Sequence, residues 1–156
     1  MKKVLITYAS LTGNTQFIAT EIYDELVKNS DWDIIIKPIN EFADAKELGK
    51  FDYIIIGAST WGDGDVAPGT EDIFEYIFNS DTDLSKTYLS YFGLGDKKYN
   101  EYNTAIVYIE EKITKNLDGK RIGKILQIDG YPNSENINIA VNWASENIEL
   151  FNKKNT

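Results

Sequence analysis

Lys3-Val4-Leu5-Ile6-Thr7-Tyr8-Ala9-Ser10-Leu11-Thr12-Gly13-Asn14-Thr15 runs from an apolar stretch into a turn of hydroxyl and amide side chains around one glycine. Lys3 to Tyr8 reads as a buried strand. Thr15 to Asn29 reads as the helix that follows, with Ile18, Ile22 and Leu26 on one face. The alternation continues outward from this unit. Trp32 to Lys37 and Tyr53 to Gly57 contain the triplets Ile34-Ile35-Ile36 and Ile54-Ile55-Ile56, which read as central parallel strands covered on both faces. A short helix is expected between them, around Asp44 to Leu48. Glu71 to Asn79 forms a helix with Ile73, Phe74, Ile77 and Phe78 inward, and Thr87 to Phe92 is the fourth strand. Tyr102 to Asn116 carries Ile106, Ile109, Ile113 and Leu117 at helical spacing. Ile122 to Ile128 is a more polar strand, expected at an edge. Glu135 to Asn152 closes the chain as a helix burying Ile137, Ala140, Ala144, Ile148 and Phe151.

Five strands alternating with helices predict an α/β fold, a doubly wound parallel sheet with right-handed crossovers and helices on both faces. Residues 1–156 are expected to form one domain, since no repeat, low-complexity tract or linker divides them. Ligands of such sheets bind beyond the carboxyl ends of the strands, where the strand order reverses. The functional loops should therefore follow the first, third and fourth strands.

Composition narrows the chemistry. The chain has no cysteine, which excludes disulfides, thiol redox chemistry and iron–sulfur ligation. It has no histidine, which removes the commonest general base and transition-metal ligand, and no metal site is expected. Any redox chemistry must reside on an organic cofactor. The net charge of −9 argues against sequence-independent nucleic-acid binding, and leaves either a solubilising role or an acidic docking face for basic partners. No apolar run approaches the roughly 20 residues of a spanning helix, and the amino terminus lacks a secretory pattern, so a cytoplasmic location is expected.

Three loops carry the functional signal. In the first, the hydroxyls of Ser10, Thr12 and Thr15 and the amides of a helix N-terminus could surround an anion, with Gly13 allowing close approach. Without a lysine it is not an ATP-type phosphate loop, and a turn of this kind on its own is usually just a helix cap, here made by Thr12 or Asn14, so the other two loops must decide. The second loop, Ala58-Ser59-Thr60-Trp61-Gly62-Asp63-Gly64-Asp65-Val66, places a tryptophan among glycines and aspartates. The third, Gly93-Leu94-Gly95-Asp96-Lys97-Lys98-Tyr99, repeats that recipe after the fourth strand. Two aromatics on adjacent loops beside a phosphate site describe a slot for a flat ring system.

Ser10-x-Thr12-Gly13-Asn14-Thr15, Ser59-Thr60-Trp61-Gly62-Asp63 and Phe92-Gly93-x-Gly95-Asp96-x-x-Tyr99, in that order and each after its own strand, resemble the flavodoxins. The resemblance spans essentially the whole chain, and the lack of an insertion in the last strand places it with the short-chain members. It implies the strand order 2-1-3-4-5 and one non-covalent FMN at the switch point, a known property of that fold. By the same resemblance, Ser10, Leu11, Thr12, Gly13, Asn14 and Thr15 would hold the phosphate, and Ser59 and Thr60 would meet the ribityl chain or phosphate. Trp61 and Tyr99 would cover the two ring faces, with Tyr99 the closer stack. Gly93, Leu94, Gly95 and Asp96 would address the pyrimidine edge. The Gly62–Asp63 peptide would be a redox switch, its carbonyl turning toward the ring in the semiquinone.

The implied function is a low-potential one-electron carrier, shuttling FMN between semiquinone and hydroquinone, with no substrate of its own. Its expected partners are redox proteins, a flavoprotein reductase as donor and oxidoreductases that otherwise accept ferredoxin, docking at an acidic flavin rim. A monomer is expected, with no nucleic-acid or membrane partner. The competing reading is an NAD(P)H-dependent flavin or quinone reductase of the same fold, disfavoured because Trp61 and Tyr99 would already cover the ring that nicotinamide must reach. Two features depart from the simple pattern. Lys97 and Lys98 precede Tyr99, and the stretch Gly64 to Gly69 is long, resembling the FMN domains of diflavin reductases.

Overall fold

The computed structural model describes residues 1–61, 64–98 and 103–154. In chain order the elements are β1 (Lys3–Ala9), α1 (Asn14–Asn29), β2 (Asp33–Pro38), two short 3-10 turns (Ile39–Glu41 and Ala45–Lys50) and β3 (Tyr53–Ser59). They continue with α2 (Glu71–Phe78), β4 (Tyr88–Gly95), α3 (Thr104–Leu117), β5 (Lys120–Arg121), β6 (Leu126–Asp129) and α4 (Ser134–Lys154). All sheet pairings are parallel, in the order β2-β1-β3-β4, with both β5 and β6 beside β4. This is the expected 2-1-3-4-5 arrangement, its fifth position filled by two short pieces. Ile122 still bonds Leu89 O at 2.7 Å, but Gly123 then turns to a φ of +74° against the Asn147 side chain. Trp143 Nε1 donates to Lys124 O at 2.9 Å, so α4 engages the interrupted segment that a continuous strand would have paired.

Because strand side chains alternate between faces, the sheet divides the core into two layers. Val4, Ile6, Tyr53 and Ile55 pack with Ile18, Ile22 and Leu26 of α1 and Trp143, Ala144 and Phe151 of α4. Leu5, Ile54, Ile56, Leu89 and Tyr91 pack on the other side with Phe74 and Ile77 of α2 and Ile106, Ile109 and Ile113 of α3. The Ile54-Ile55-Ile56 triplet is fully covered, as expected of a central strand. The Ile34-Ile35-Ile36 triplet is not. Among the described residues β2 is an edge strand paired only with β1; Ile34 and Ile36 pack on the α1/α4 layer, while Ile35 remains 43% exposed. A β-branched run reports strand propensity, whereas coverage of the second face depends on which helix happens to lie there.

The short helix expected around Asp44 to Leu48 is the second 3-10 turn, capped by Asp44, whose side chain accepts from Lys46 N–H at 3.0 Å. At the centre of the sheet, Tyr53 Oη and Ser90 Oγ lie 2.6 Å apart, and Ser90 donates to Ile122 O at 2.9 Å. Burial pushes the Tyr53 hydroxyl well above its ordinary range, so it stays neutral and can serve this chain of bonds.

Candidate functional site

The carboxyl ends of β1, β3 and β4 lie side by side, with Ala9 opposite Ala58, Ala58 opposite Gly93 and Ser59 opposite Leu94. All three loops singled out in the sequence therefore leave the same edge of the sheet, at the point where the order reverses.

In the first loop, Ser10 Oγ accepts from Gly13 N–H at 3.1 Å, which folds the chain back under the start of α1. The capping position falls on Gly13, not on Thr12 or Asn14. Gly13 has a φ of +93°, a left-handed conformation that costs a side-chain-bearing residue about 1 kcal/mol or more. Phe17 N–H takes Gly13 O at 2.9 Å, so the amides of Asn14, Thr15 and Gln16 precede the first intrahelical acceptor and have no capping side chain. No acidic residue stands in this first turn. Leu11 and Thr12 are exposed, Ser10 and Asn14 half-buried, and Thr15 buried at the base of the loop. Free amides, a positive helix end and the hydroxyls of Ser10 and Thr12 together could hold an anion through dipoles.

The second loop is held as a narrow turn. Trp61 and Asp65 exchange backbone hydrogen bonds of 2.8 Å each, and Gly64 N–H also reaches Trp61 O at 3.1 Å. The proposed switch residues Gly62 and Asp63 lie outside the described residues. Trp61 is half-buried, and its indole N–H donates to Ser59 Oγ at 2.7 Å. Thr60 N–H donates to Leu94 O at 2.9 Å, while Thr60 Oγ1 accepts from Ala105 N–H at 3.1 Å. The oxygens of Ser59 and Thr60 thus both accept bonds within the protein, leaving their hydroxyl protons to be donated.

The third loop begins later than the sequence suggested, because β4 runs on through Gly95. Gly93 and Leu94 are strand residues, and the Leu94 side chain is buried in the α1/α4 layer, so only their backbone can face a ligand at this edge. Gly95 O accepts from Gly130 N–H at 2.8 Å, and Lys97 N–H donates to Asp129 Oδ1 at 2.9 Å. Asp96 Oδ1 accepts from Lys98 N–H at 2.9 Å, and the Lys98 ammonium lies 4.0 Å from the Asp96 carboxylate in an exposed pair. Tyr99, like residues 100–102, lies outside the described residues. Where the chain resumes, Asn103 is fully buried, with φ +57°, and its amide donates to Ile128 O at 3.1 Å.

Asn103, Ala105, Asp129 and Gly130 were not foreseen as contributors. Asp129-Gly130 is a turn dipeptide at the end of the last strand and could have been flagged. Nothing local to Asn103 or Ala105 marks them. Beside the second loop, a groove of about 410 Å³ opens between α2 and α3, lined in part by Asp65, Glu71, Glu75, Phe74 and Tyr108. It shares Gly64, Asp65 and Val66 with the second loop. Among the described residues no group of three or more acidic side chains is arranged to hold a metal ion.

A family model described as Flavodoxin matches residues 6–143. The chain is 34% identical to a flavodoxin of Maridesulfovibrio salexigens over 145 residues, covering 93% of this chain and 96% of that one. It is similar to the crystal structure of oxidised flavodoxin 2 from Bacillus cereus, with 31% identity, a TM-score of 0.84, and coverage of 94% and 98% of the two chains. A Fusobacterium nucleatum flavodoxin solved with flavin mononucleotide shares the fold at 19% identity and a TM-score of 0.74, over 96% of this chain and 98% of that one.

Proposed function

Because the chain belongs to the flavodoxin family, we infer that it carries single electrons on a non-covalently bound FMN seated over the ends of β1, β3 and β4. It is an electron-transfer protein that serves other redox proteins, not an enzyme with a substrate of its own. The observation that carries the placement is the open amino end of α1, left-handed at Gly13 and without a capping side chain, beside the loops bearing Trp61 and Asp96. Those residues fit the cofactor. The phosphate meets amides and hydroxyls with no acidic neighbour in the first turn, and the ring meets a half-buried tryptophan and strand-end backbone.

When bound, FMN supplies the redox centre, accepting and releasing electrons one at a time. The protein's residues do the rest. Asn14, Thr15 and Gln16 donate their amides to the phosphate, and Ser10 and Thr12 donate hydroxyl protons. Trp61 would shield one ring face from water; Tyr99, which the resemblance assigns to the other face, lies outside the described residues. The Gly62–Asp63 peptide is the point of redox-dependent adjustment, and the paired bonds between Trp61 and Asp65 anchor the chain on either side of it. Residues 1–156 act as one FMN-binding domain, a reading supported by the single sheet that both core layers share.

Partners dock at an acidic rim formed where Asp65, Glu71 and Glu75 stand next to the second loop, consistent with the overall charge of −9. A flavoprotein reductase is the proposed donor and ferredoxin-accepting oxidoreductases the acceptors. Among the described residues no helix is long and apolar enough to cross a membrane, and we place the carrier in the cytoplasm as a monomer. The test is titration of FMN-free protein with FMN, followed by stepwise reduction under a visible spectrum. A long-wavelength band that builds and then decays between the oxidised and fully reduced end states is expected. Rapid bleaching by NADPH alone would instead support a reductase.

A further inference from the structure

We infer that Thr60 is a positioning residue that sets the spacing of the second and third loops by clamping both ends of the third. The inference rests on the FMN reading above and adds to it a residue that need not touch the ring. Thr60 N–H donates to Leu94 O at 2.9 Å, just ahead of the third loop. Thr60 Oγ1 accepts from Ala105 N–H at 3.1 Å, just behind it. The stretch from Gly95 to Thr104, which carries Asp96 and Tyr99, is therefore held at both ends by one residue of the second loop. A weaker tie, Thr104 Oγ1 to Gly64 O at 3.4 Å, runs alongside.

The clamp exists because α3 cannot cap itself. First-turn amides have no intrahelical acceptor and require one from elsewhere. The capping position falls to Asn103, which is left-handed and makes no side-chain capping bond; its amide is turned to Ile128 O instead. The missing acceptor comes from Thr60, 45 residues away in sequence. A threonine hydroxyl is a normal helix cap, but here it belongs to a different loop, so capping α3 also fixes that loop. Trp61 follows Thr60 directly. A shift of the clamp moves the loop that carries Trp61 relative to the start of α3, and ring affinity and potential should follow.

Thr60→Val removes the hydroxyl at nearly constant shape, and Thr60→Ser keeps it. Both are compared with the unaltered protein by amide hydrogen exchange without FMN, by FMN titration, and by both one-electron potentials. In Thr60→Val the Ala105 amide should exchange about tenfold faster, FMN should bind about five- to tenfold more weakly, and at least one potential should move. Thr60→Ser should return exchange and affinity to within about twofold. Unchanged Ala105 exchange in Thr60→Val overturns the inference, whatever happens to FMN, since the hydroxyl then acts on the ligand directly or not at all. Faster exchange with unaltered FMN binding and potentials also overturns it, leaving a helix cap alone. So does failure of Thr60→Ser to rescue. If the unaltered protein bound no FMN, the functional reading would fail, while the FMN-free exchange arm would still decide whether Thr60 ties α3 to the second loop.

Discussion

The loop after β1 and the loops after β3 and β4, which we propose seat one ligand, are held in opposite ways. Between Ala9 and Asn14 the shape comes from neighbours in sequence, a Ser10–Gly13 bond across three residues and the start of α1 itself. The ring loops are held by Thr60 to Ala105, Lys97 to Asp129 and Asn103 to Ile128, contacts that span 25 to 45 residues. A phosphate needs only a cluster of donors, and the end of a single helix provides one. A flat ring needs two walls, and those must come from different crossover units.

The sharpest way to break this contrast is Asn103→Ala. It removes the donor to a buried carbonyl and places alanine at φ +57°, so unfolding of the FMN-free protein by urea should show a loss of about 2–4 kcal/mol. Asn103→Gly relieves only the backbone part and should recover about 1 kcal/mol; equal stability of all three proteins would mean that the third loop does not depend on its distant anchor. Next in size is Gly13→Ala. A Cβ there meets nothing within 4 Å, so the cost, about 1–2 kcal/mol, is purely that of a positive φ. FMN affinity should fall with it, while amide exchange around Ala105 stays unchanged. A change at Ala105 would show that the two regions are coupled after all.

Ser10→Ala deletes the Ser10–Gly13 bond of the first loop and should cost about 1 kcal/mol, or roughly a fivefold loss of FMN affinity by titration. The reduction potentials should hardly move, because the change is at the phosphate end. The smallest effect belongs to the double substitution Lys97→Ser with Lys98→Ser. Both lysines stand in the third loop, and Lys98 is in an exposed pair with Asp96. Their removal should lower the second reduction potential by a few tens of millivolts at low salt and much less at high salt, measured by redox titration. No shift at low salt would make them solvated surface charges.

Much of the architecture was legible in the sequence for a physical reason. Ile18, Ile22 and Leu26, or Ile106, Ile109 and Ile113, recur at the helical period because one face must be buried, and each set lies in the core. Ile34-Ile35-Ile36 misled because its composition is the same as that of Ile54-Ile55-Ile56, while position in the sheet is not a local property. The strand expected from Ile122 to Ile128 is broken at Gly123, where the partner is an Asn147 side chain far along the chain. The third loop was drawn three residues too early because Gly93 and Gly95 resemble loop residues. In β4 they are strand residues, and a Cβ at Gly93 would meet Asn103 and Ile106.

By itself the sequence determined that the chain alternates strands and helices, that any redox chemistry needs an organic cofactor, and that the Ser10 to Thr15 turn is either a helix cap or a phosphate site. These follow from residue type, period and short-range geometry, which a linear reading contains. The tertiary structure decided that Gly13 and neither Thr12 nor Asn14 occupies the cap, and that Thr60 caps a helix it does not belong to. It also decided that Asp129 and Ile128 anchor the third loop. Those choices depend on which donors and acceptors remain unpaired once the sheet has closed, and only the packed chain brings them within reach of one another.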